Sequence, residues 1–466
     1  MADDREDGIL SEFRIEAASL GSREFLADYD VRFAYVAGAM YKGIASKELV
    51  IAMGKARLMS FFGTGGLCLA DIENGIRSIQ AALGPAVSFG ANLLSDIERP
   101  ETEERTVDLY LRHGVHFIEA AGYMKLSLSL IRYRLRGLQR KVDGTIVCTN
   151  RVLAKVSRPE VALAFLQPAP AAQIKRLLDA GQITAEEADL GRSVPVADDI
   201  CVECDSGGHT DQGVAYALLP AMIALRDEVL TQHRFNRVVR VGAAGGIGTP
   251  SAAAAAFIMG ADFILTGSIN QCTVEAGTSE AVKEMLASAD VQDTAYAPSG
   301  DLFELGAKVQ VLRKGLFFPA RANKLYELFS RFNSLDEIDL KTRKTLEEKY
   351  FKRSFDAVWA EVKKYYIDSG RANIDDLGGN PKKKMAMIFR WYLAHTTKLA
   401  LSGDVAEKVD FQIQCGPAIG SFNRWVKGTP LESWRNRHVA AIGEQIMLGT
   451  ANLLSHRLNS FIAPGP

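Results

Sequence analysis

The segment 238–268 constrains the fold of this chain more than any other part of its sequence. It contains an apolar run, a glycine-rich turn at 245–248, an alanine-rich helix and a second apolar run. These lengths suit a single β-α-β unit, and the apolar run before the turn is typical of a strand buried on both faces of a parallel sheet. The second run ends at Gly267 and Ser268. The segment therefore predicts two adjacent parallel strands that each end in a glycine turn.

Both turns are suited to holding a phosphate. Gly245 and Gly246 allow the backbone to turn sharply and to approach a ligand closely. Thr249 and Pro250 then begin a helix, whose first N–H groups and dipole favour an anion. Similar turns after two consecutive strands are typical of the phosphate site that follows strands seven and eight of a (β/α)8 barrel.

Two other interpretations of these glycines exist. A dinucleotide-binding Rossmann unit also has glycines after a strand, but this sequence lacks the G-x-G-x-x-G order and the acidic residue about 20 residues further on. In the other interpretation the glycines only form a tight turn. The rest of the chain has to decide between them.

The spacing of apolar runs favours the barrel. Eight runs that end in glycine or polar residues start near Val31, Arg57, Ala86, Val115, Val152, Asp199, Val238 and Asp262. A strand, a helix and two loops need about 25 to 30 residues, so the spacing indicates an α/β fold of the (β/α)8 TIM barrel type. We expect a surface-lying lead-in at 1–30, the barrel at 31–319 and a helical C-terminal region at 320–466. A helical hairpin at 157–197 is expected after strand five, on the face that carries active sites.

Composition excludes several classes of partner. The 466 residues include 55 basic and 56 acidic side chains, so no nucleic-acid or polybasic membrane surface is indicated. The acidic N-terminus lacks the features of a signal peptide, and no apolar stretch is long enough to span a bilayer. Six scattered cysteines fit a reducing compartment, so we expect a soluble cytoplasmic protein. Cys201 and Cys204 lack a second ligand pair, and no metal site is predicted.

Residues at the carboxyl ends of barrel strands face the active site. These strand-end residues include one cation, Lys155, several amide groups and much exposed backbone. Such a set suits a planar cofactor with a phosphate tail, such as FMN. Lys155 would lie near the end of the ring system that becomes negative on reduction. His209 follows two glycines after strand six and can pass a proton at neutral pH, although it could instead only hold the cofactor or the loop. The predicted cofactor-binding residues are Gly38, Met40, Asn92, Lys155, Gly207, Gly208, Gly245, Gly246, Gly267 and Ser268.

Several motifs resemble the PfaD-like enoyl reductases, which act in trans in polyunsaturated fatty acid synthases and trans-acyltransferase polyketide synthases. The barrel motifs are SGGHTD at 206–211, VGAAGGIGTP at 241–250 and TGSINQCTVEAGTSE at 266–280. The resemblance continues through PARANKLYELF at 319–329, KMAMIFRWYL at 384–393 and DFQIQCGPAIGSFNRW at 410–425. It covers nearly the whole chain. The helical motifs are the specific part, since the related nitronate monooxygenases lack them.

The resemblance implies an FMN barrel that takes hydride from NADPH, or from NADH, and reduces a 2-enoyl thioester at its β-carbon. The acyl group would be carried on the phosphopantetheine arm of an acyl carrier protein of a polyketide or fatty acid synthase. His209 matches the histidine of the superfamily and would supply the proton to the α-carbon. By the same match, Asn92 and Lys155 would contact the flavin ring, and the glycine turns with Ser268 would hold its phosphate.

Two other functions remain open from the sequence. One is a nitronate monooxygenase that uses His209 as the base, and the other is a flavin-binding partner of the synthase without catalytic activity. Barrels of this class often form homodimers, and the sequence locates no interface. The basic cluster 382–384 is a candidate contact for an acidic carrier protein.

Overall fold

The computed structural model describes residues 13–97, 99–233, 235–368 and 379–462. Its centre is a closed barrel of eight parallel strands, in which each strand pairs with its neighbours in chain order and the last pairs with the first. The predicted (β/α)8 TIM barrel is confirmed, and each strand begins within a few residues of its expected start. The strands are β1 (Tyr35–Ala37), β2 (Met59–Phe62), β3 (Gly90–Leu94), β4 (Phe117–Ala121), β5 (Arg151–Val156), β6 (Asp199–Glu203), β7 (Arg240–Ala244) and β8 (Ile264–Thr266).

The barrel helix that follows β8 comes from the end of the chain. The helices after the first seven strands are α1 (Lys47–Lys55), α2 (Leu69–Leu83), α3 (Pro100–Arg112), α4 (Leu128–Leu135), α5 (Pro159–Leu166), α6 (Ala215–Gln232) and α7 (Pro250–Ile258). The eighth position is occupied by α8 (Val439–Ile462), which packs against α7, α1 and β1. Residues 267–438 are therefore inserted between the last strand and the last helix of the barrel. The predicted boundary at 319/320 missed this, because spacing along the chain does not show which helix completes the ring.

The predicted helical insertion after strand five is present. After α5, the helices Ala171–Asp179 and Ala185–Leu190 follow before β6. They pack on the outside of the barrel against α4 and a small hairpin formed by Gln139–Arg140 and Ile146–Val147. The expected place on the active-site face is therefore wrong, because the pair follows α5 and precedes β6, where the chain returns to the amino-terminal ends of the strands.

The amino-terminal end of the barrel is filled by a helix at Arg23–Tyr29. Phe25 and Tyr29 are fully buried, and the Phe25 ring stacks on Phe263 with centroids 4.8 Å apart. The Tyr29 hydroxyl donates to Asp199 at 2.7 Å. A surface-lying lead-in was expected, but Ala17, Leu20, Phe25 and Tyr29 of this segment are buried; the prediction for 1–12 lies outside the described residues. Burial of two aromatic rings outweighs the polar character of the surrounding segment.

The insertion 267–438 contains a small sheet that spacing did not predict. Strands Thr294–Pro298 and Lys308–Leu312 pair antiparallel, and Gly208–Thr210, from outside the insertion, adds to the second of them, with His209 opposite Val309. One helix, Glu280–Ala287, precedes this sheet, and others follow it at Phe318–Arg331, Leu340–Thr345, Leu346–Phe351, Phe355–Asp368, Pro381–Ser402 and Ala418–Trp425. Several of these helices share a separate apolar core that includes Leu325, Val358 and Phe389. Within the described residues, no helix combines the length and the apolar character needed to cross a membrane.

Candidate active site

A cavity opens at the carboxyl ends of the barrel strands, with about 590 Å³ of empty space that includes open solvent. Eight of the ten residues predicted to bind a cofactor line it, namely Gly38, Met40, Lys155, Gly207, Gly245, Gly246, Gly267 and Ser268. The sequence therefore located the walls of the cavity, and their contact with a cofactor remains a prediction.

Two of the predicted residues, Asn92 and Gly208, are not among the residues that line the cavity. The Asn92 side chain is buried in the barrel wall, where its amide donates to the carbonyl of Glu119 at 2.9 Å. Gly208 lies in the short strand beside His209, with φ of +89°. A β-carbon at Gly208 would come within 3.1 Å of the Gln414 side chain, so this glycine serves the packing of the small sheet.

The two glycine turns present free backbone to the cavity. Gly245 and Gly246 have φ of +94° and +74°, in the left-handed region that favours glycine. A β-carbon at Gly245 would lie 2.8 Å from the carbonyl carbon of Cys204, whereas one at Gly246 or Gly267 meets no atom within 4 Å. Among the described residues, the N–H groups of Gly246 and Gly267 find no backbone acceptor. Such groups beside the first turn of α7 have the geometry of an anion site.

One wall of the cavity comes from the inserted segment at 414–418. The N–H of Gly416 donates to the Ser268 hydroxyl at 2.9 Å, and the Gln271 amide donates to the carbonyl of Gln414 at 2.6 Å. A β-carbon at Gly207 would lie only 2.5 Å from the Cα of Cys415. The 206–208 loop and the inserted segment therefore pack backbone to backbone, and the barrel cavity is incomplete without the insertion.

The predicted lone cation, Lys155, is part of an ion cluster. Its ammonium lies 3.0 Å from a Glu203 carboxylate oxygen and 3.7 Å from Glu119. Burial opposes the charge of Lys155, but the two carboxylates outweigh burial and raise its pKa. Burial also raises the pKa of Glu119, although Lys155 and the N–H of Ala39 favour its ionised form. Lys155 lines the cavity as predicted, with its charge shared by two carboxylates.

His209 lies in the edge strand of the small sheet, and its side chain hydrogen-bonds two residues of the inserted segment. Its Nε2 is 2.8 Å from Asp301 Oδ1 and 2.8 Å from the Ser299 hydroxyl, and about half of its side chain is exposed. The Ser299 hydroxyl and the N–H of Leu302 also donate to Asp301. Burial alone would lower the pKa of His209, but the hydrogen bond and charge of Asp301 raise it. The geometry therefore favours an imidazolium that can donate a proton.

Sequence reasoning missed several residues of this site. Glu203, the last residue of β6, lines the cavity, and its strand-end position could have identified it; Ser206, in the stretch that was expected to face the site, lines the cavity as well. The Ser206 hydroxyl is buried and has no protein partner among the described residues. Asp301 and Gly416 had no local signal, because both lie in the insertion, far along the chain from the strand ends that they approach. Three or more potential metal ligands do not come together anywhere in the described part of the chain.

Comparison with known proteins gives one family match to part of the insertion. Residues 332–411 match the inserted helical domain of acyl-carrier-protein S-malonyltransferase. This match covers most of the separate helical core and none of the barrel strands. It therefore describes the helical part of the insertion alone.

Whole-chain similarity is much stronger. The chain is 55% identical over 97% of its length to the polyketide biosynthesis protein PksE of Bacillus subtilis, and 42% identical over 95% to one of the proteins that form the polyunsaturated fatty acid synthase of Thraustochytrium. It spans 58% and 30% of these two relatives, respectively. The crystal structure of the enoyl reductase domain of MlnA, from the macrolactin cluster of Bacillus amyloliquefaciens, matches at 47% identity with a TM-score of 0.92. That match covers 95% of this chain and 99% of the domain.

More distant structures share the fold alone. FabK from Thermotoga maritima is 15% identical with a TM-score of 0.54, and the match covers 94% of this chain and 98% of FabK. Nitroalkane oxidase from Streptomyces ansochromogenes is 14% identical with a TM-score of 0.52, over 93% of this chain and 99% of the oxidase.

Proposed function

Because the chain belongs to the family that includes the enoyl reductase domain of MlnA and the biosynthesis protein PksE, we propose that it is an FMN-dependent enoyl reductase. It would reduce the double bond of a 2-enoyl thioester carried by an acyl carrier protein, and it would serve in trans in a polyketide or polyunsaturated fatty acid synthase. The observation that carries this proposal is the cavity at the strand ends. Its glycine turns belong to the motifs at 241–250 and 266–280 on which the resemblance rests, and Lys155 lines the same cavity.

The residues around the cavity fit FMN. The free N–H groups at Gly246 and Gly267 suit its phosphate, and the open space over both glycines leaves room for it. The buried Ser206 hydroxyl lacks a protein partner in the described residues and can bond a polar edge of the ring. A flavin held there would supply the hydride chemistry between NADPH and the β-carbon of the substrate. Lys155 with its two carboxylates would set the charge beside the ring.

His209 would supply the proton that completes the reaction. Hydride addition at the β-carbon leaves negative charge at the α-carbon, which must take up one proton for the saturated thioester to form. The His209 imidazolium, hydrogen-bonded to Asp301, is a suitable donor because Asp301 keeps it charged. After transfer, the neutral imidazole regains its proton from solvent through its exposed side.

Asp301→Asn is expected to lower the pKa of His209. The wild-type pKa is raised, so the donor is fully protonated below its ordinary titration range, and protonation is lost as pH rises through the raised value. Without the carboxylate, the rate of enoyl reduction should begin to fall at a lower pH than in the wild type. At pH values below this fall, the variant should keep the wild-type rate. The pH profile of enoyl reduction, together with an NMR titration of His209, measures this shift. Identical profiles and titrations for variant and wild type would contradict control by Asp301.

The basic cluster 382–384 is a poorer carrier-protein contact than the sequence suggested. Lys382 donates to the carbonyls of Phe329 and Phe332 and lies over the Phe329 ring. Lys384 lies over the ring of Trp359. Two of the three lysines therefore contact residues of the helical region itself. The acyl carrier protein stays a proposed partner, and we assign it no docking surface.

The visible spectrum of the purified protein tests the proposed function. We expect flavin absorption, bleaching of that absorption by anaerobic NADPH, and its return when a short 2-enoyl thioester is added. A flavin that stays oxidised with NADPH but is reduced by an alkyl nitronate would instead establish a nitronate monooxygenase. A flavin that NADPH reduces and no enoyl thioester reoxidises would contradict the reductase, and so would a protein that cannot take up FMN.

A further inference from the structure

The two ring nitrogens of His209 have different surroundings. Nε2 lies 2.8 Å from Asp301 Oδ1 and 2.8 Å from the hydroxyl oxygen of Ser299. Within the described part of the chain Nδ1 has no hydrogen-bond partner, and about half of the side chain is exposed. The bonds made by one ring nitrogen decide which nitrogen carries the proton in the neutral ring. The surroundings of Nε2 therefore determine which atom of His209 can act as the acid.

The Ser299 hydroxyl shows that Nε2 is protonated. A serine hydroxyl has a single proton to donate, whereas an ionised carboxylate only accepts. Ser299 donates this proton to Asp301 Oδ1. Burial opposes the charge of Asp301, but its hydrogen bonds with His209 and Ser299 and the charge of His209 lower its pKa, so it is ionised. The Ser299 oxygen can then only accept from Nε2. Because both neighbours of Nε2 are acceptors, Nε2 keeps its proton in the neutral ring as well as in the imidazolium.

Ser299 is anchored at the position from which it reaches Nε2. Its side chain is fully buried, and its N–H donates to the carbonyl of Ala307 at 2.8 Å. It directly follows the strand Thr294–Pro298, which belongs to the same small sheet as the strand of the histidine. A β-carbon on the next residue, Gly300, would come within 3.3 Å of the inserted helix Pro381–Ser402. The hydroxyl is therefore presented from a turn that packs against both the sheet and the helix.

We propose that Nδ1 of His209 is the atom that gives the proton to the α-carbon and that Ser299 is the positioning residue that fixes this choice, an inference that rests on the proposed function. In this step the electron pair at the α-carbon forms the new C–H bond, the Nδ1–H bond breaks, and its electron pair stays on Nδ1. The ring becomes neutral and keeps its Nε2 proton between Ser299 and Asp301. Solvent then returns a proton to Nδ1. Donation from Nε2 would first require both of these hydrogen bonds to break.

Nitrogen NMR of protein that contains isotope-labelled histidine measures the position of the proton directly. The signals of His209 are those that are missing from His209→Ala. Above the raised pKa, where the ring is neutral, we expect a protonated Nε2 and an unprotonated Nδ1. In Ser299→Ala the ring loses one of its two acceptors, so part of the population should carry the proton on Nδ1. Ser288→Ala, which removes a hydroxyl that donates to the carbonyl of Met285, is the matched control and should keep the wild-type signals.

The two half-reactions of the flavin measure the consequence for the reaction. Ser299→Ala should slow the return of the absorption after addition of an enoyl thioester roughly two- to tenfold, the usual effect of one hydrogen bond. Bleaching by NADPH should keep its rate. His209→Nδ1-methylhistidine can still bond through Nε2 as a cation but has no proton at Nδ1. It should therefore slow the return of the absorption as much as His209→Ala does.

Two results would overturn Nδ1 as the donor, namely a neutral wild-type ring with its proton on Nδ1, or wild-type reoxidation of the flavin by the methylated variant. A wild-type tautomer together with wild-type rates in Ser299→Ala would overturn the positioning role of Ser299. The NMR measurement needs no turnover. A protein with the expected tautomer that reduces no enoyl thioester would contradict the proposed function alone, and an active reductase with the other tautomer would contradict only this inference.

Discussion

Gly246→Asp is expected to give folded protein that purifies without flavin. The left-handed φ of +74° at Gly246 is one that aspartate tolerates better than most residues, and its β-carbon would meet no protein atom within 4 Å. The carboxylate would enter the space that the proposed phosphate occupies. At about 4 Å and an effective dielectric of about 20, two like charges repel by about 4 kcal/mol. FMN binding should therefore weaken roughly a thousandfold, which visible absorbance and titration of the apoprotein with FMN measure.

Gly246→Asn separates charge from size in this experiment. Asparagine has nearly the shape of aspartate, tolerates the same backbone conformation and carries no charge. It should retain far more flavin than the aspartate variant, with a similar melting temperature. An aspartate variant that keeps a full complement of flavin would place the phosphate elsewhere. Equal loss of flavin in both variants would show that the size of the new side chain, and not its charge, prevents flavin binding.

The parts of the site that sequence could predict are those with a local physical signature. Gly245, Gly246 and Gly267 follow buried strands directly, and in a parallel barrel strand ends converge on one face. Lys155 was found for the same reason, since it lies near the carboxyl end of β5, whereas the other cation of that strand, Arg151, begins it. Asn92 does not line the cavity, since its side-chain amide donates to the carbonyl of Glu119 in the next strand, and its contact with a flavin stays a prediction. Strand-end position indicates the face of the barrel but not the direction of a side chain.

The remaining parts depend on contacts between distant segments. Asp301 reaches His209 because the strand Gly208–Thr210 joins a sheet whose other strands lie about 100 residues later. Gly416 reaches Ser268 across an insertion that begins after β8 and ends before α8. No periodicity along the chain encodes such pairings, because they depend on where a separate core of helices packs against the barrel. For the same reason α8 was assigned to an appendage although it completes the barrel.

His209→Ala is expected to leave flavin binding intact and to slow enoyl reduction by about 10²- to 10⁴-fold, the usual contribution of a general acid. His209 is not among the residues that line the cavity, so its removal should not open or block the cofactor site. Bleaching of the flavin by NADPH needs no proton at the α-carbon and should proceed at the wild-type rate. Return of the absorption after addition of the enoyl thioester should be slow. Stopped-flow measurement of the two half-reactions shows which one the substitution affects.

His116→Asn is the matched control for this substitution. His116 lies just before β4, near the opposite end of the barrel, and hydrogen-bonds Asn150 at 3.2 Å, so both half-reactions should keep their rates. Equal slowing of both half-reactions in His209→Ala would point to a role in holding the cofactor or the 206–211 loop. Unchanged enoyl reduction would remove His209 as the donor. If His209→Ala slows only the reoxidation of the flavin by the enoyl thioester, and this slowing disappears at low pH, protons from solvent replace the imidazolium, which the half-exposed position of His209 allows. Such recovery is expected for a lost proton donor and not for a residue that only orders the small sheet.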